Sequence, residues 1–574
     1  MLYGAKTPNA SGTGQVDLAA VFRAAGSTIP SGTQEWEVSL VTGTGTHFRY
    51  NSGTNPLTAT GYTGTGNTGR TPYRSTAATD PKYEWDYRVR VDGGAWSNWG
   101  RLTYNMVSSG VSIGNNYSGD NYAGAILGTA DAAQAYTNGV RVLYLMTGLS
   151  RPDFRMGAGF NFSSGTGWST SDRLKVMWAN NQLPPTLSAI SFGGGSSGIW
   201  VDLEYDGVTV TGGRLVGYNA NVSGKVQIAG DDNRVTRINA LMTEAEFTTE
   251  FINYAQAAVY LSGNRNEIGV EGDYSQANYA SHVSNAFYVS GGTGNKVCNN
   301  VLAYFHARGI AREINTSGTI VRYNLVGPAW RTRSPTVDKD IHLDSIWSPD
   351  NSGGVVEQSP TIENNLIWNL TDDTANISSC RLIVLGATGA SLDIATPTVR
   401  GNIVIAPYTY GIELGRWSGS CRFTHNTLIT AIKGDYSVDI NNIIPLGSGQ
   451  PDYGNASMRI VCKPLTLVAA ATMTSDKNYL WSQREYGDGT GGYANVLGVT
   501  TGTDIANNRS NSPTGFPGGL NPRTTLEASA GSIWTMPTKA ADITAMLNYV
   551  WGVLYRTDGY GAVNSTGTGW ATLP

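Results

Sequence analysis

Two acids and a histidine carry the strongest chemical promise in this chain: Glu313, Asp344 and His342. Two carboxyls held roughly 5 Å apart suit a retaining glycosidase, and a wider gap leaves room for the attacking water of an inverting one. Close like charges also push one carboxyl's pKa up, so one residue type can supply both an acid and a base. His342 stands two positions before Asp344, so on a strand both share one face, where an imidazole can orient a sugar hydroxyl or relay a proton. The insertion before this strand brings Trp330, Arg331, Arg333 and Asp338, Asp340 lies on the strand, and Trp347 follows it. Long insertions of this kind wall a groove. The competing reading leaves Asp340, His342 and Asp344 as solvated positions on an exposed sheet.

Other side chains have the right chemistry to hold a ligand beside that cluster. Glu413, with Arg416 and Trp417, can bind a neighbouring sugar or act as the distant partner of an inverting pair with Asp344. Tyr260 and Tyr288 can form a platform for sugar rings, or simply pack across strands. A lyase would instead need a neutralising cation and a base, and Arg312, Arg333 and His342 supply those if the strand register moves by one. Glu267, Glu271 and Asp273 gather at a turn where calcium can bind, although a solvated turn is the reading adopted. No cofactor and no metal are expected.

These residues meet only if strands far apart in sequence stack. Five segments share the order apolar, any, any, Asn, any, apolar: 297–302, 321–326, 362–367, 399–404 and 423–428. Their asparagines, Asn300, Asn324, Asn365, Asn402 and Asn426, are 24, 41, 37 and 24 residues apart. The short interval suits one coil of three short strands, and the long ones imply loops inserted into a coil. Asn tolerates left-handed backbone angles and can sit at a sharp bend, so stacked bends predict an Asn ladder. A second set of strands aligns as 258–262, 286–290, 309–313, 340–344, 382–386 and 411–415, with 225–229 before them. Alternation buries Val259, Phe287, Ile310, Ile341, Ile383 and Ile412. It turns outward one column of Tyr260, Tyr288, Ala311, His342, Val384 and Glu413, and a second of Ser262, Ser290, Glu313, Asp344, Gly386 and Gly415. Glu313 and Asp344 then lie on adjacent rungs, about 4.8 Å apart along the axis. In this register Arg312 points inward unless a bulge re-aims it.

Composition fits that architecture. The 574 residues include 72 glycines and only 14% charged residues, which suits an all-β chain rich in tight turns. With 40% hydrophobic residues the chain can build a core. The net charge of −4, without a basic run, disfavours nucleic acid as a partner. No apolar run is long enough for membrane insertion, and Met1 to Gly4 lacks the basic start of a secretory leader. Cys298, Cys380, Cys421 and Cys462 have neither metal-type nor disulfide-framework spacing and read as buried thiols. Residues 1–110 read as a fibronectin-III-like β module, because the run from Tyr83 to Asp92-Gly93 returns as 95–104 in a hairpin. Residues 111–139 read as a linker and helical cap, 140–460 as the solenoid, and 461–574 as a C-terminal cap or oligomerisation region with a helix over 540–554.

The coils from Val140 to Ile432 resemble the pectate-lyase-like right-handed parallel β-helix superfamily. The order of modules is similar to that of phage tailspikes and polysaccharide depolymerases. The resemblance implies an all-β, right-handed parallel β-helix. It also implies a homotrimer on a virion tail, among other virion tail proteins, that hydrolyses a bacterial capsular, exo- or lipopolysaccharide within the chain. A polysaccharide lyase and a non-catalytic glycan-binding fibre or adhesin are the alternatives. The paired aspartates and Gly-His-Gly of polygalacturonases and the calcium-binding acids of pectate lyases have no counterpart here, so no catalytic residue carries over from those families.

Overall fold

The chain divides into two compact units, Met1–Asn239 and Ala240–Pro574. The computed structural model describes 2–3, 34–40, 48–51, 82–96, 100–105, 142–145, 153–156, 161, 163, 169–170, 173–178, 186–187, 189–203, 214–215 and 224–239 in the first. In the second it describes 240–241, 257–305, 307–312, 316–327, 343–348, 357–368, 380–385, 394–406, 412–414, 417–430, 460–462, 472–482, 509–510, 526, 536–537 and 539–573. The helical cap read at 129–138 lies outside the described residues.

The first unit begins antiparallel. Gln34–Leu40 pairs with both Phe48–Asn51 and Lys82–Val91, and the last of these pairs with Gly100–Asn105. Asp92 and Gly93 turn that hairpin with φ of 52° and 70°, the sign that a tight hairpin turn requires. Parallel pairing follows. Val142–Leu145, Leu174–Trp178, Ile199–Asp202 and Arg234–Thr236 form one sheet, and Asp153–Met156, Ala189–Phe192 and Gly224–Ala229 another. On the outer face of the former, Trp200 carries Lys175 on one side at 4.4 Å and Arg234 on the other at 5.2 Å. Beside it Asp202 is fully buried against Lys175 at 2.8 Å and Arg237 at 2.7 Å. Burial alone would raise the Asp202 pKa, but the two cations outweigh it and hold the carboxyl below its usual range.

The second unit is a parallel β-helix, wound in the right-handed sense that right-twisted strands dictate. Seven coils follow among the described residues. Each coil contributes one strand to each of three parallel sheets, and a fourth, shorter sheet lines a corner. The first sheet stacks Ala257–Ser262, Asn285–Ser290, Arg308–Arg312, Leu343–Ser348, Cys380–Leu385, Ile412–Leu414 and Ile460–Cys462. Its interior column is Val259, Phe287, Ile310, Ile346, Ile383 and Ile412, all 0% exposed. A solenoid coil buries this much only because the next coil caps it, so the apolar column must be continuous. The thiols of Cys298 and Cys421 are buried in this unit, which pushes each pKa up to about 12 and keeps them unreactive. Among the described residues no helix is long and apolar enough to cross a membrane.

The Asn ladder is continuous and longer than the five repeats. It runs through Asn278, Asn300, Asn324, Asn365, Asn402, Asn426 and Asn478, each amide Nδ2 donating to the next Oδ1 at 2.8 to 3.0 Å. The expected reason for Asn is corrected. The ladder asparagines point inward, and from Asn300 onward the left-handed residue is the one before each of them: Asn299, Tyr323, Asn364, Gly401, His425 and Lys477, with φ from 51° to 64°, whereas Ala277 before Asn278 is extended at φ −62°. Selection for Asn therefore comes from an amide's ability to donate and accept at once inside the core, not from its tolerance of the bend. At Gly401 a Cβ would lie 2.1 Å from Asn364 Oδ1, so any other residue there would have to displace the Asn364 side chain.

The outer side of that corner is covered. Residues 269–277 of the first coil fold over it, with Glu271 paired to Lys296 at 3.1 Å and to Arg322, and the Tyr274 hydroxyl donating to Tyr323 O at 2.6 Å. The helix Ala540–Leu554 buries Ile543, Met546, Leu547, Val550 and Leu554, one apolar stripe, and packs on Tyr274–Gln276. The tail then joins the last coils, where Gly561 N donates to Lys477 O at 2.8 Å and Ala562 N to Thr427 Oγ1 at 2.9 Å. These contacts connect the first coil with the sixth and seventh, which nearest-neighbour stacking cannot do.

His425 lies in that covered corner, 4% exposed. Burial lowers its pKa, Lys477 adds to the effect, Asp476 opposes it, and Arg422 and Arg400 reinforce it. The unfolded imidazole titrates near 6.5. Between the two values the unfolded chain binds more protons, so stability is complete above that pH and declines as pH falls through the folded pKa. The melting temperature of wild type should therefore fall between pH 7 and pH 5 by more than that of His425→Asn, a residue that accepts the left-handed bend. Parallel melting curves for the two proteins would remove this account.

Candidate functional site

The outward column of the first sheet is the candidate site. Strand register aligns Tyr260, Tyr288, Ala311 and Trp347 in it, and the same backbone register continues to positions 384, 413 and 461, held by Val384, Glu413 and Val461. Tyr260 and Tyr288 are half-buried and stack with centroids 5.3 Å apart and planes 17° from parallel. Two coils further, Trp347 is half-buried and carries the Arg308 guanidinium 3.4 Å above its ring. Arg308 comes from the intervening coil, so Tyr, Tyr, Arg and Trp arrive from four consecutive coils. Ala311, whose small side chain faces this strip, is fully covered. Glu413 follows two coils past Trp347, about 9.6 Å along the axis by the rung spacing.

The fourth coil departs from the expected register. Asp344 pairs with Arg308 and with Arg381, and Trp347, not His342, enters the Tyr260–Tyr288 column. Asp344 is 0% exposed, so it does not lie on an open face as expected. The cause is a five-residue slip. Ile341 and Ile346 are both isoleucines able to enter the interior column, and the pairing of Ile310 with Ile346 and of Ile346 with Ile383 selects the second. Asp344 is thereby opposite a residue five positions before Glu313, which dissolves the proposed carboxyl pair. Glu313, His342, Asp340, Trp330, Arg333 and Arg416 lie outside the described residues. Trp417 pairs with Ile394 in the short fourth sheet, not in the sheet that carries Glu413.

Arg312 is also corrected as a surface ligand group. It points inward, as strand alternation demands, and is 0% exposed. Its Nη1 donates to Glu357 Oε1 at 2.8 Å inside the solenoid. Glu357 also accepts from Thr316 Oγ1 at 3.1 Å and from Ser348 Oγ at 2.6 Å. Ser348 directly follows Trp347, so this interior node holds the strand that presents the Trp347 ring.

The turn acids are engaged by protein groups. Glu271 has its pKa raised by burial and lowered further by Lys296 and Arg322, with a net decrease. Asp273 caps the Tyr274–Gln276 turn, accepting from Ser275 N at 2.8 Å. Arg322 continues to Glu363 at 2.5 Å, and Glu363 to Arg400 at 2.9 Å, an alternating charge ladder across the paired strands Ile320–Arg322, Thr361–Glu363 and Thr398–Arg400. Sequence reading missed Arg308. The sequence carries no signal for it, because an arginine three residues before Ala311 reaches Trp347 only once Ile346 is the interior residue, and the tertiary register makes that choice.

No protein-family model matches this chain, and no curated protein does. The crystal structure of pectate lyase Pel9A is similar to it at 11% identity over 70% of this chain and 89% of that one, with a TM-score of 0.34. The fold assignment rests on the strand pairing itself.

Proposed function

We propose that this protein binds a polysaccharide along the Tyr260–Tyr288–Arg308–Trp347 strip and cuts it within the chain. The observation that carries this reading is the strip of three aromatic rings and one arginine, contributed by four consecutive coils, along the first sheet. Aromatic faces and edges suit the apolar patches of sugar rings, and a coil-by-coil spacing suits a repeating ligand. Replacing Tyr288 or Trp347 by alanine should weaken glycan binding roughly tenfold each, which corresponds to about 1.4 kcal/mol per ring. Titration calorimetry with the two variants tests this, and unchanged affinity in both would remove the strip from consideration.

Cutting is proposed to be hydrolytic, of a bacterial capsular, exo- or lipopolysaccharide, by a homotrimeric tailspike-like protein of a virion tail. The architecture's resemblance to polysaccharide-cleaving solenoids supports this, and so does Glu413, the carboxyl-bearing position that the register puts in the aromatic column. A second reading is a glycan-binding protein without catalysis, and the burial of Asp344 favours it. Incubation with bacterial polysaccharides separates these readings by chain length, reducing ends and ultraviolet absorbance of an unsaturated uronate. New reducing ends without absorbance indicate hydrolysis, both together a lyase, and neither with retained binding an adhesin. Glu413→Gln should abolish cutting and leave binding intact. A fully active variant would exclude Glu413 as the acid.

A further inference from the structure

The interior column that contains Arg312 is otherwise small and apolar or weakly polar. Leu261 pairs with Val289 and Val289 with Arg312. Beyond them Ser348 pairs with Leu385, and Leu261, Val289, Ser348 and Leu385 are all buried. An arginine in such a column must satisfy five N–H donors without solvent. Nη1 reaches Glu357, but Nε and Nη2 meet no acceptor among the described residues. Nε and Nη2 form one edge of the guanidinium, with parallel N–H bonds that converge on a single acceptor position. A charged donor pair left bare in a dry interior is strongly disfavoured, so an acceptor belongs there.

The charge balance selects the acceptor. Arg312 is already neutralised by Glu357, whose carboxylate takes three hydrogen bonds from Arg312, Thr316 and Ser348. An anion on the fork would leave one net negative charge buried, with its full desolvation cost. Water supplies a lone pair without charge and is the usual partner of buried polar groups that the protein itself does not satisfy. We infer that the Nε–Nη2 edge of Arg312 is a binding site for one ordered water molecule inside the solenoid. That water meets the edge of Arg312 that Glu357 leaves unpaired, beside the node of Arg312, Glu357, Thr316 and Ser348 that joins the third and fourth coils.

A crystal structure of the full-length chain, at a resolution that shows ordered solvent, tests the site, together with a crystal soaked in bromide. The expected result is one density peak about 2.7–3.2 Å from both Nε and Nη2, without anomalous signal in the bromide crystal. Anomalous bromide density on the fork would show an anion site and overturn the inference. Absence of any peak, or a protein oxygen filling the position, would overturn it equally. Arg312→Lys, which keeps the charge but removes the fork, should lose the peak. A peak unmoved in that variant would show that other groups hold the water.

Discussion

Replacing Asn324 by alanine is expected to destabilise the second unit by on the order of 4 kcal/mol. The Asn324 side chain sits in the middle of the ladder and makes four hydrogen bonds. Its Oδ1 accepts from Asn300 N at 3.1 Å and Asn300 Nδ2 at 3.0 Å, and its Nδ2 donates to Val297 O at 2.8 Å and Asn365 Oδ1 at 3.0 Å. Truncation takes this partner from the Asn300 N–H, from one N–H of Asn300 Nδ2 and from the Val297 carbonyl, while Asn365 Oδ1 keeps the Asn324 backbone N–H at 3.0 Å, and each buried polar group left unpaired costs about 1–3 kcal/mol. Asn324→Asp separates hydrogen bonding from packing. The carboxylate has nearly the same shape but cannot donate, and it would face two acceptors, the Val297 carbonyl and Asn365 Oδ1. It should therefore be at least as destabilising as alanine near neutral pH. Equilibrium urea unfolding of the three proteins measures this. If the aspartate variant matched wild type, the ladder would be a packing feature and not a hydrogen-bonded one.

Arg312→Met should cost about 3–5 kcal/mol, because it leaves Glu357 as an uncompensated carboxylate 2% exposed. Arg312→Met combined with Glu357→Leu should recover most of that loss. Replacing both members of a buried pair by apolar groups of similar volume is often neutral or stabilising. The recovery is a coupling energy between two residues 45 positions apart in sequence and 2.8 Å apart in space. It is measured by the same unfolding experiment as a double-mutant cycle. Additive effects in the cycle would mean that the two side chains do not share a pair in solution. The node also predicts a functional echo, since Ser348 links it to the strand of Trp347.

The two expectations differ in how the chain could reveal them. The ladder is local in pattern: each coil repeats an apolar, any, any, Asn order, and the period announces which asparagines stack. Asn278 and Asn478 escaped because their segments lack the leading apolar residue, although the ladder includes both. The Arg312–Glu357 pair has no such pattern. Alternation alone turned Arg312 inward, but nothing in the order of residues named Glu357 as the group that meets it.

Periodicity by itself determined the parallel β-helix, the Asn corner, the interior column from Val259 to Ile310 and the Tyr260–Tyr288 stack. These follow from a side-chain period of two and a coil interval that recurs. Only the tertiary structure decided what stands opposite what after a long insertion. The 30 residues between Arg312 and Leu343 erase the count, and two isoleucines five apart compete for one interior place. Contact with the coils on either side chooses Ile346, and that choice buries Asp344, brings Trp347 outward under Arg308 and leaves Glu413 as the acid position in the aromatic column. Stacking energy between neighbouring coils is non-local, so the identity of the exposed acids is a property of the assembled solenoid and not of any one segment.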